Sequence, residues 1–151
     1  MTTGEALVTA SAEDTERAGT ALAARLTGGD VVLLQGDLAA GKTTFVRGIV
    51  DGLEGPADEV SSPTFVLIQT YPCADHGIER LHHVDLYRLA DRPADLMEVG
   101  LEDLLADPAA VTAVEWPRQA LAGWLPPAAR LWRVRIEILD DDTRRIEITS
   151  P

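Results

Sequence analysis

The chain has little of several features that mark other classes of protein. It contains one cysteine, Cys73, so an internal disulfide is impossible. No apolar run approaches the roughly 18 residues of a membrane span, and Val31 to Leu34 is typical of the runs present. The opening Met-Thr-Thr-Gly-Glu lacks the basic and apolar regions of a secretory signal. We therefore expect a cytoplasmic protein that does not enter a membrane.

Positive charge is also scarce. The sequence has 13 Lys plus Arg against 25 Asp plus Glu, which gives a formal net charge of -12 at pH 7. Proteins that hold nucleic acid usually present a basic face, so direct binding to RNA or DNA is not expected. Twelve of the 13 basic residues are arginine, and Lys42 is the sole lysine.

Length and organisation indicate one unit. A chain of 151 residues with 46% hydrophobic composition can bury roughly 70% of the surface that its unfolded form exposes. No internal repeat, low-complexity stretch or Gly/Ser linker divides it. We predict a single domain over residues 1–151.

Hydrophobic periodicity predicts strands that alternate with helices and a fold of the α/β class. We expect a mixed central sheet flanked by helices, with two antiparallel hairpins whose turns lie at 72–79 and 140–143. Ser11 and Asp14 resemble the cap of the first helix. The predicted helices are 12–26, about 42–53 and 93–105, and the predicted strands are 7–9, 31–35, 65–71, 81–87, 111–116, 131–139 and 146–149.

A phosphate-binding motif lies between the buried strand 31–35 and the amphipathic helix that follows. Residues 36–43 read GDLAAGKT and match G-x-x-x-x-G-K-[ST], which favours a P-loop NTPase-like domain. In such loops backbone N–H groups surround phosphate oxygens, an ammonium such as that of Lys42 reaches the terminal phosphates, and a hydroxyl such as that of Thr43 binds Mg²⁺. Ala39 and Ala40 leave the middle of the loop without glycine; if either has a positive φ, alanine costs about 1 kcal/mol there.

The nucleotide that this loop favours is ATP. Guanine specificity in this loop class usually rests on an Asn-Lys-x-Asp element, which requires a second lysine. The chain has none.

Phosphoryl transfer at such a loop also needs an acidic residue at the end of a neighbouring strand. Glu115 and Asp85 both qualify, since each closes a predicted strand. Trp116 belongs either to the core or beside the nucleotide. The stretch 61–65, Ser-Ser-Pro-Thr-Phe, suits either a loop that senses the γ-phosphate or an ordinary turn. His82 and His83 have too few Cys or His companions for a closed zinc site.

Four segments together resemble one family. They are GDLAAGKTTF at 36–45, SPTF at 62–65, HVDLYRL at 83–89 and VEWP at 114–117. Their order and spacing resemble the TsaE family, formerly called YjeE, over roughly residues 11–145. This family comprises the bacterial ATPases required for threonylcarbamoyladenosine in tRNA. The chain departs from the family pattern at Ala39, where glycine is usual, and in the long turn expected from Cys73 to Glu79.

The resemblance implies binding of ATP and Mg²⁺ and assigns roles to particular residues. Thr43 and Glu115 would hold the metal, Lys42 the phosphates, and Asp85 would be the catalytic or switch carboxylate. Ser11 and Arg144 would contact ATP, although helix capping by Ser11 and a solvated hairpin at Arg144 explain them equally well. The remaining nucleotide-binding residues implied are Gly36, Asp37, Leu38, Ala39, Ala40, Gly41, Thr44, Thr64 and Trp116.

The resemblance also implies partners. The ATPase would act with TsaB and TsaD, of which TsaD transfers the threonylcarbamoyl group, and hydrolysis would reset that complex between turnovers. The tRNA would be reached only through the complex. Hydrolysis by the isolated chain would be slow, since the sequence identifies no arginine finger beyond the candidates Arg88 and Arg118. A small-molecule kinase and a non-catalytic ATP-dependent switch are the alternatives.

Overall fold

Seven strands form one mixed sheet in the computed structural model, which describes residues 3–37, 39–61, 68–87, 100–117 and 119–151. The strands are β1 (Thr3–Thr9), β2 (Val31–Gln35), β3 (Ile68–Asp75), β4 (Ile78–Asp85), β5 (Ala110–Glu115), β6 (Leu131–Ile138) and β7 (Arg144–Ser150). The helices are α1 (Ala12–Ala23), α2 (Lys42–Gly52) and α3 (Leu101–Leu105), with short 3₁₀ turns at Ala57–Glu59 and Gln119–Trp124. The α/β class and the mixed sheet with hairpins are confirmed.

The strand order across the sheet is β1-β7-β6-β2-β5-β4-β3. The four central strands, β6, β2, β5 and β4, are parallel to one another. The outer pairs β1 with β7, β6 with β7 and β3 with β4 are antiparallel. Because parallel strands end at the same edge, the carboxyl ends of β2, β4 and β5 lie together.

Two apolar cores sandwich the centre of the sheet. Along β2, Val32 and Leu34 belong to the core that includes buried residues of α1 and α2. Val31 and Leu33 belong to the opposite core, which includes Leu101 of α3. This burial on both faces explains why β2 has a continuous apolar run instead of alternating apolar and polar residues.

Helices α1 and α2 approach each other closely through glycine. A Cβ atom at Gly48 would lie 1.9 Å from the carbonyl oxygen of Glu16, and one at Gly19 would lie 2.1 Å from that of Phe45. No larger residue fits without moving backbone. The contact packs the middle of α1 directly against α2.

Several predicted boundaries shift. Strand β1 begins at Thr3, earlier than expected, and α1 ends at Ala23 instead of Leu26. β2 spans the predicted residues, α2 begins at Lys42 as predicted, and the hairpin of β6 and β7 is confirmed.

The long turn expected between β3 and β4 is wrong. His76 and Gly77 alone form the turn, with φ angles of 41° and 85°. Cys73 to Asp75 continue β3, with an irregularity in the pairing between Pro72 and Asp75. β3 is an edge strand, so it tolerates the proline and polar residues that made this stretch look like a loop.

Some predictions lie outside the described residues. They include strand residues 65–67, the stretch 62–65 and residues 93–99 of the helix expected at 93–105. Within the described residues this helix begins only at Leu101, because Gly100 is its N-cap with a φ of 73°, so the predicted helix is not continuous through Gly100. Within the described ranges, no helix is both long enough and apolar enough to span a bilayer.

Candidate functional site

The loop between β2 and α2 presents a helix N-terminus at the sheet edge where the parallel strands end. Gly41 is the N-cap of α2, with a φ of 112° that favours glycine, and no side chain among the described residues caps the helix. The first N–H groups of α2 therefore face outward, as in anion-binding loops. Ala39 has a φ of 64°, so the cost of about 1 kcal/mol expected for alanine applies here.

Lys42 is bound by the loop that precedes it. Its ammonium donates to the carbonyl oxygens of Gly36 at 2.6 Å and Asp37 at 3.0 Å. The ring of Trp116 lies above it, with 4.1 Å from Nζ to the ring centroid. Burial lowers the pKa of Lys42, although the nearby carboxylates Glu115 and Asp85 act in the opposite direction. The ammonium is therefore desolvated and stabilised by carbonyl dipoles, an aromatic face and two acids.

Two carboxylates converge at the ends of β4 and β5. The parallel register pairs Asp85 directly with Glu115, and both side chains are buried. The hydroxyl of Thr43, in the first turn of α2, donates to Glu115 Oε2 at 3.1 Å. Both acidic candidates from the sequence thus lie beside the loop, and Thr43 contacts one of them.

Asp85 has the electrostatics of a proton acceptor. Burial raises its pKa, and the charge of Glu115 raises it further. The N–H of Tyr87, which donates to Asp85 Oδ1 at 2.9 Å, acts in the opposite direction. A carboxylate made more basic in this way is suited to accept a proton from a bound hydroxyl or water.

A cavity of about 300 Å³ connects these groups. Its walls include Lys42, Thr43, Asp85, Glu115 and Trp116. Trp116 has a φ of 58°, a left-handed conformation that strains a residue other than glycine. Strain of this kind is typical of functional sites.

A second cavity of about 220 Å³ lies on the other side of the loop. Ser11 and Arg144 both line it, with Thr44 between the two cavities. Ser11 also caps α1, since its Oγ accepts from the N–H of Asp14 at 3.1 Å. Arg144 donates through Nε to the carbonyl oxygen of Ala40 at 3.0 Å and thereby joins the last hairpin to the loop. Ser11 and Arg144 therefore both have a structural role and both lie beside the loop.

The remaining candidates divide into two groups. Gly36, Asp37, Ala39, Ala40 and Gly41 form the loop itself, with Ala40 buried between the two cavities. Leu38, Thr64 and the arginine-finger candidates Arg88 and Arg118 lie outside the described residues.

Sequence reasoning missed two residues of this site. His83 Nε2 lies 2.5 Å from Glu115 Oε2, whereas the sequence argued only against a zinc site at this residue. Tyr87 lines the first cavity and packs against Trp116 with ring centroids 4.8 Å apart. The signal for His83 was its spacing: it lies two residues before Asp85, so both side chains leave β4 on the same face.

The groups at this edge have complementary chemistry. Outward N–H groups and an ammonium attract the oxygens of a phosphate chain. A hydroxyl beside a carboxylate offers the hard oxygen ligands that magnesium prefers. A buried, more basic carboxylate adds a proton acceptor.

Comparison with known proteins identifies a family. The family model described as "Threonylcarbamoyl adenosine biosynthesis protein TsaE" matches residues 9–146. Three relatives are named tRNA threonylcarbamoyladenosine biosynthesis protein TsaE. That of Treponema pallidum is 39% identical over 93% of this chain and 97% of its own length. That of Streptomyces coelicolor is 43% identical over 87% of each chain. That of Bacillus subtilis is 38% identical over 94% of this chain and 83% of its own.

A solved structure gives the same result for the fold. The crystal structure of YdiB from Bacillus subtilis superposes with a TM-score of 0.69 and 30% sequence identity. The match covers 99% of this chain and 87% of that one. On the evidence of the motifs, the relatives and the fold, this chain belongs to the TsaE family of threonylcarbamoyl adenosine biosynthesis proteins.

Proposed function

We propose that the chain is a Mg²⁺-dependent ATPase that acts in threonylcarbamoyladenosine modification of tRNA together with TsaB and TsaD. One observation carries the proposal: the hydroxyl of Thr43 lies 3.1 Å from a carboxylate oxygen of Glu115, directly beside the ammonium at the start of α2. Family membership supplies the pathway.

The residues present fit a nucleotide with its magnesium ion. Thr43 and Glu115 would hold the ion, which supplies charge neutralisation on the phosphates when bound. Lys42 would exchange its contacts with the Gly36 and Asp37 carbonyls for phosphate oxygens. The exchange requires the movement of one flexible side chain and the loss of its two hydrogen bonds to the loop.

Asp85 would orient the attacking water and accept its proton. Its burial and its raised pKa support that role. The second cavity, lined by Ser11 and Arg144, would take the nucleoside end of ATP, since it shares the loop with the first cavity. Trp116 and Tyr87 would shield the phosphates from bulk water.

Family membership and charge support the proposed partners. A chain with a net charge of -12 is poorly suited to hold tRNA phosphates itself. We propose that it reaches tRNA only through TsaB and TsaD, that hydrolysis resets that complex between turnovers, and that hydrolysis by the chain alone is slow.

The test is Glu115→Gln in the complex reconstituted with TsaB and TsaD. Glutamine keeps the side-chain volume at a buried position but loses the negative charge. We expect Mg²⁺-dependent phosphate release to fall by about tenfold or more, while ATP affinity by calorimetry changes by about threefold at most. Glu137→Gln, on the exposed part of β6, is the matched control. Unchanged hydrolysis by the Glu115→Gln complex would contradict the metal assignment.

Two other outcomes would replace the proposal. Transfer of radiolabelled γ-phosphate to a metabolite would make the chain a small-molecule kinase, for which the same loop serves. Repeated tRNA modification by a variant that binds ATP but cannot hydrolyse it would make the chain a non-catalytic switch.

A further inference from the structure

His83 is a fully buried histidine whose polar contact is Glu115. Its side chain has no solvent exposure, and Nε2 lies 2.5 Å from Glu115 Oε2. The hydroxyl of Thr43 donates to the same oxygen. One carboxylate oxygen is therefore held from two directions, by α2 and by β4.

The other ring nitrogen has no partner. His83 Nδ1 is buried and is the one side-chain nitrogen or oxygen of the described residues that is buried without a hydrogen bond. Leaving such an atom unpaired costs about 1–3 kcal/mol. Packing alone does not explain this choice, because an apolar side chain of similar size would fill the space without an orphaned nitrogen.

The direction of the hydrogen bond follows from the acceptor. A carboxylate only accepts, so Nε2 carries a proton and donates it to Oε2. The imidazole then acts as a fixed N–H donor to Glu115.

The neighbouring histidine provides the contrast. His82 leaves the opposite face of β4, where Nδ1 lies 2.9 Å from Thr70 Oγ1 and Nε2 lies 3.1 Å from Asp107 Oδ2. Both of its nitrogens are paired, and neither partner lines the cavity at the loop. His82 therefore joins structural elements, whereas His83 leaves one nitrogen unpaired and contacts the proposed metal ligand.

We propose that His83 is a positioning residue for Glu115. Its N–H fixes Oε2 beside Thr43, so that the carboxylate is oriented before a metal ion arrives. The inference rests on the proposed function, in which Thr43 and Glu115 hold Mg²⁺. Residues that orient a metal ligand in this way typically change metal affinity by about 10- to 100-fold when removed.

Three variants of the full chain test the role. His83→Gln keeps an N–H donor near the position of Nε2, whereas His83→Leu removes the donor at similar volume. His82→Gln is the control on the same strand. Mn²⁺ affinity is measured by electron paramagnetic resonance with a non-hydrolysable ATP analogue, nucleotide affinity is measured in EDTA, and the melting temperature is recorded for each variant.

We expect His83→Leu to weaken Mn²⁺ binding by about tenfold or more and His83→Gln by about threefold at most. Metal-free nucleotide affinity stays within about twofold of wild type in both, and His82→Gln leaves Mn²⁺ affinity unchanged. Equal Mn²⁺ affinity in wild type and His83→Leu would overturn the inference. A loss of metal-free nucleotide affinity as large as the loss of Mn²⁺ affinity would overturn it as well. If wild type binds no Mn²⁺ with the nucleotide, the proposed function itself fails, and the inference fails with it.

Discussion

Lys42 and Trp116 form a cation–π pair, with the ammonium 4.1 Å from the centroid of the indole ring. The same ammonium donates to two carbonyls of its own loop. Without a phosphate, the positive charge of Lys42 is therefore already stabilised by the protein. A nucleotide must compete with these contacts, so its affinity depends on the difference between the phosphate contacts and the protein contacts of one ammonium.

Lys42→Met tests the phosphate contact. Methionine keeps the length of the side chain and removes the charge, so we expect ATP affinity to fall by about 10- to 100-fold, as for loss of a charged hydrogen bond. Calorimetry with Mg²⁺ measures the change. Because the ammonium is desolvated and its pKa is lowered, the free energy of unfolding should not decrease.

Arg135→Met is the charge-matched control for Lys42→Met. Arg135 lies on the exposed surface of β6 near Gly36 and Asp37. Its loss should change ATP affinity by about threefold at most. ATP binding by Lys42→Met that equals binding by Arg135→Met would refute the role of the ammonium.

Ala39→Gly tests strain in the loop. Glycine removes about 1 kcal/mol of strain from the folded chain at the positive φ. It also makes the unfolded chain more flexible, which stabilises the unfolded state by a similar amount. The net change in the free energy of unfolding should be near zero. Ala40→Gly is the comparison: Ala40 is buried without a positive φ, and losing its methyl group should destabilise the chain by about 1–2 kcal/mol. If urea denaturation gives the same free energy of unfolding for both variants, the proposed strain at Ala39 is contradicted.

Gly48→Ala tests the contact between α1 and α2. In a helix exposed to solvent this change stabilises by about 1 kcal/mol. Here the added Cβ would lie 1.9 Å from the Glu16 carbonyl oxygen, so we expect destabilisation of about 2–3 kcal/mol. Gly123→Ala, where a Cβ meets nothing within 4 Å, should change stability by about 0.5 kcal/mol at most. Thermal melts distinguish the two, and a stabilised Gly48→Ala would disprove the close packing.

Asp107→Asn tests a pH-dependent contribution to stability away from the site. Burial alone would raise the pKa of Asp107, but the Ala109 N–H, His82 and Arg80 outweigh it and lower the pKa below 3.8. A carboxyl with a lowered folded pKa stabilises the fold above its unfolded pKa and loses that contribution as the pH falls through the folded value. We expect Asp107→Asn to cost about 1–2 kcal/mol at pH 5.

This gap in the free energy of unfolding between wild type and Asp107→Asn should narrow below pH 3.8, the ordinary pKa of an aspartate side chain. Urea midpoints at pH 5 and pH 3 measure it. Asp103→Asn, exposed on α3, is the control and should show no gap. A gap for Asp107→Asn that is as large at pH 3 as at pH 5 would contradict the assignment.

Features set by contiguous residues could be predicted from the sequence. β2, the loop and the start of α2 follow from a short apolar run and a local motif, so Lys42 and Thr43 were placed correctly at the start of a helix. The sequence also placed Glu115 at a strand end. It left open whether Asp85 or Glu115 faces the loop, because that depends on which strands are neighbours.

The structure places both acids together because β4 and β5 are adjacent and parallel, with Asp85 opposite Glu115. Adjacency is a property of the whole sheet and has no local signature. His83 was missed for the same reason, since its partner is 32 positions away in the chain. The turn at His76 and Gly77 was misjudged because an edge strand has little need of apolar residues.

Lys42 also gives the chain a single lysine to label. It carries the only ε-amine in the sequence, and the residue is only 4% exposed, inside the cavity beside the loop. Its lowered pKa increases the fraction of unprotonated, nucleophilic amine. Acylation at lysine is therefore confined to one position, and a change in its extent during a mass-spectrometric footprint reports occupancy of the cavity.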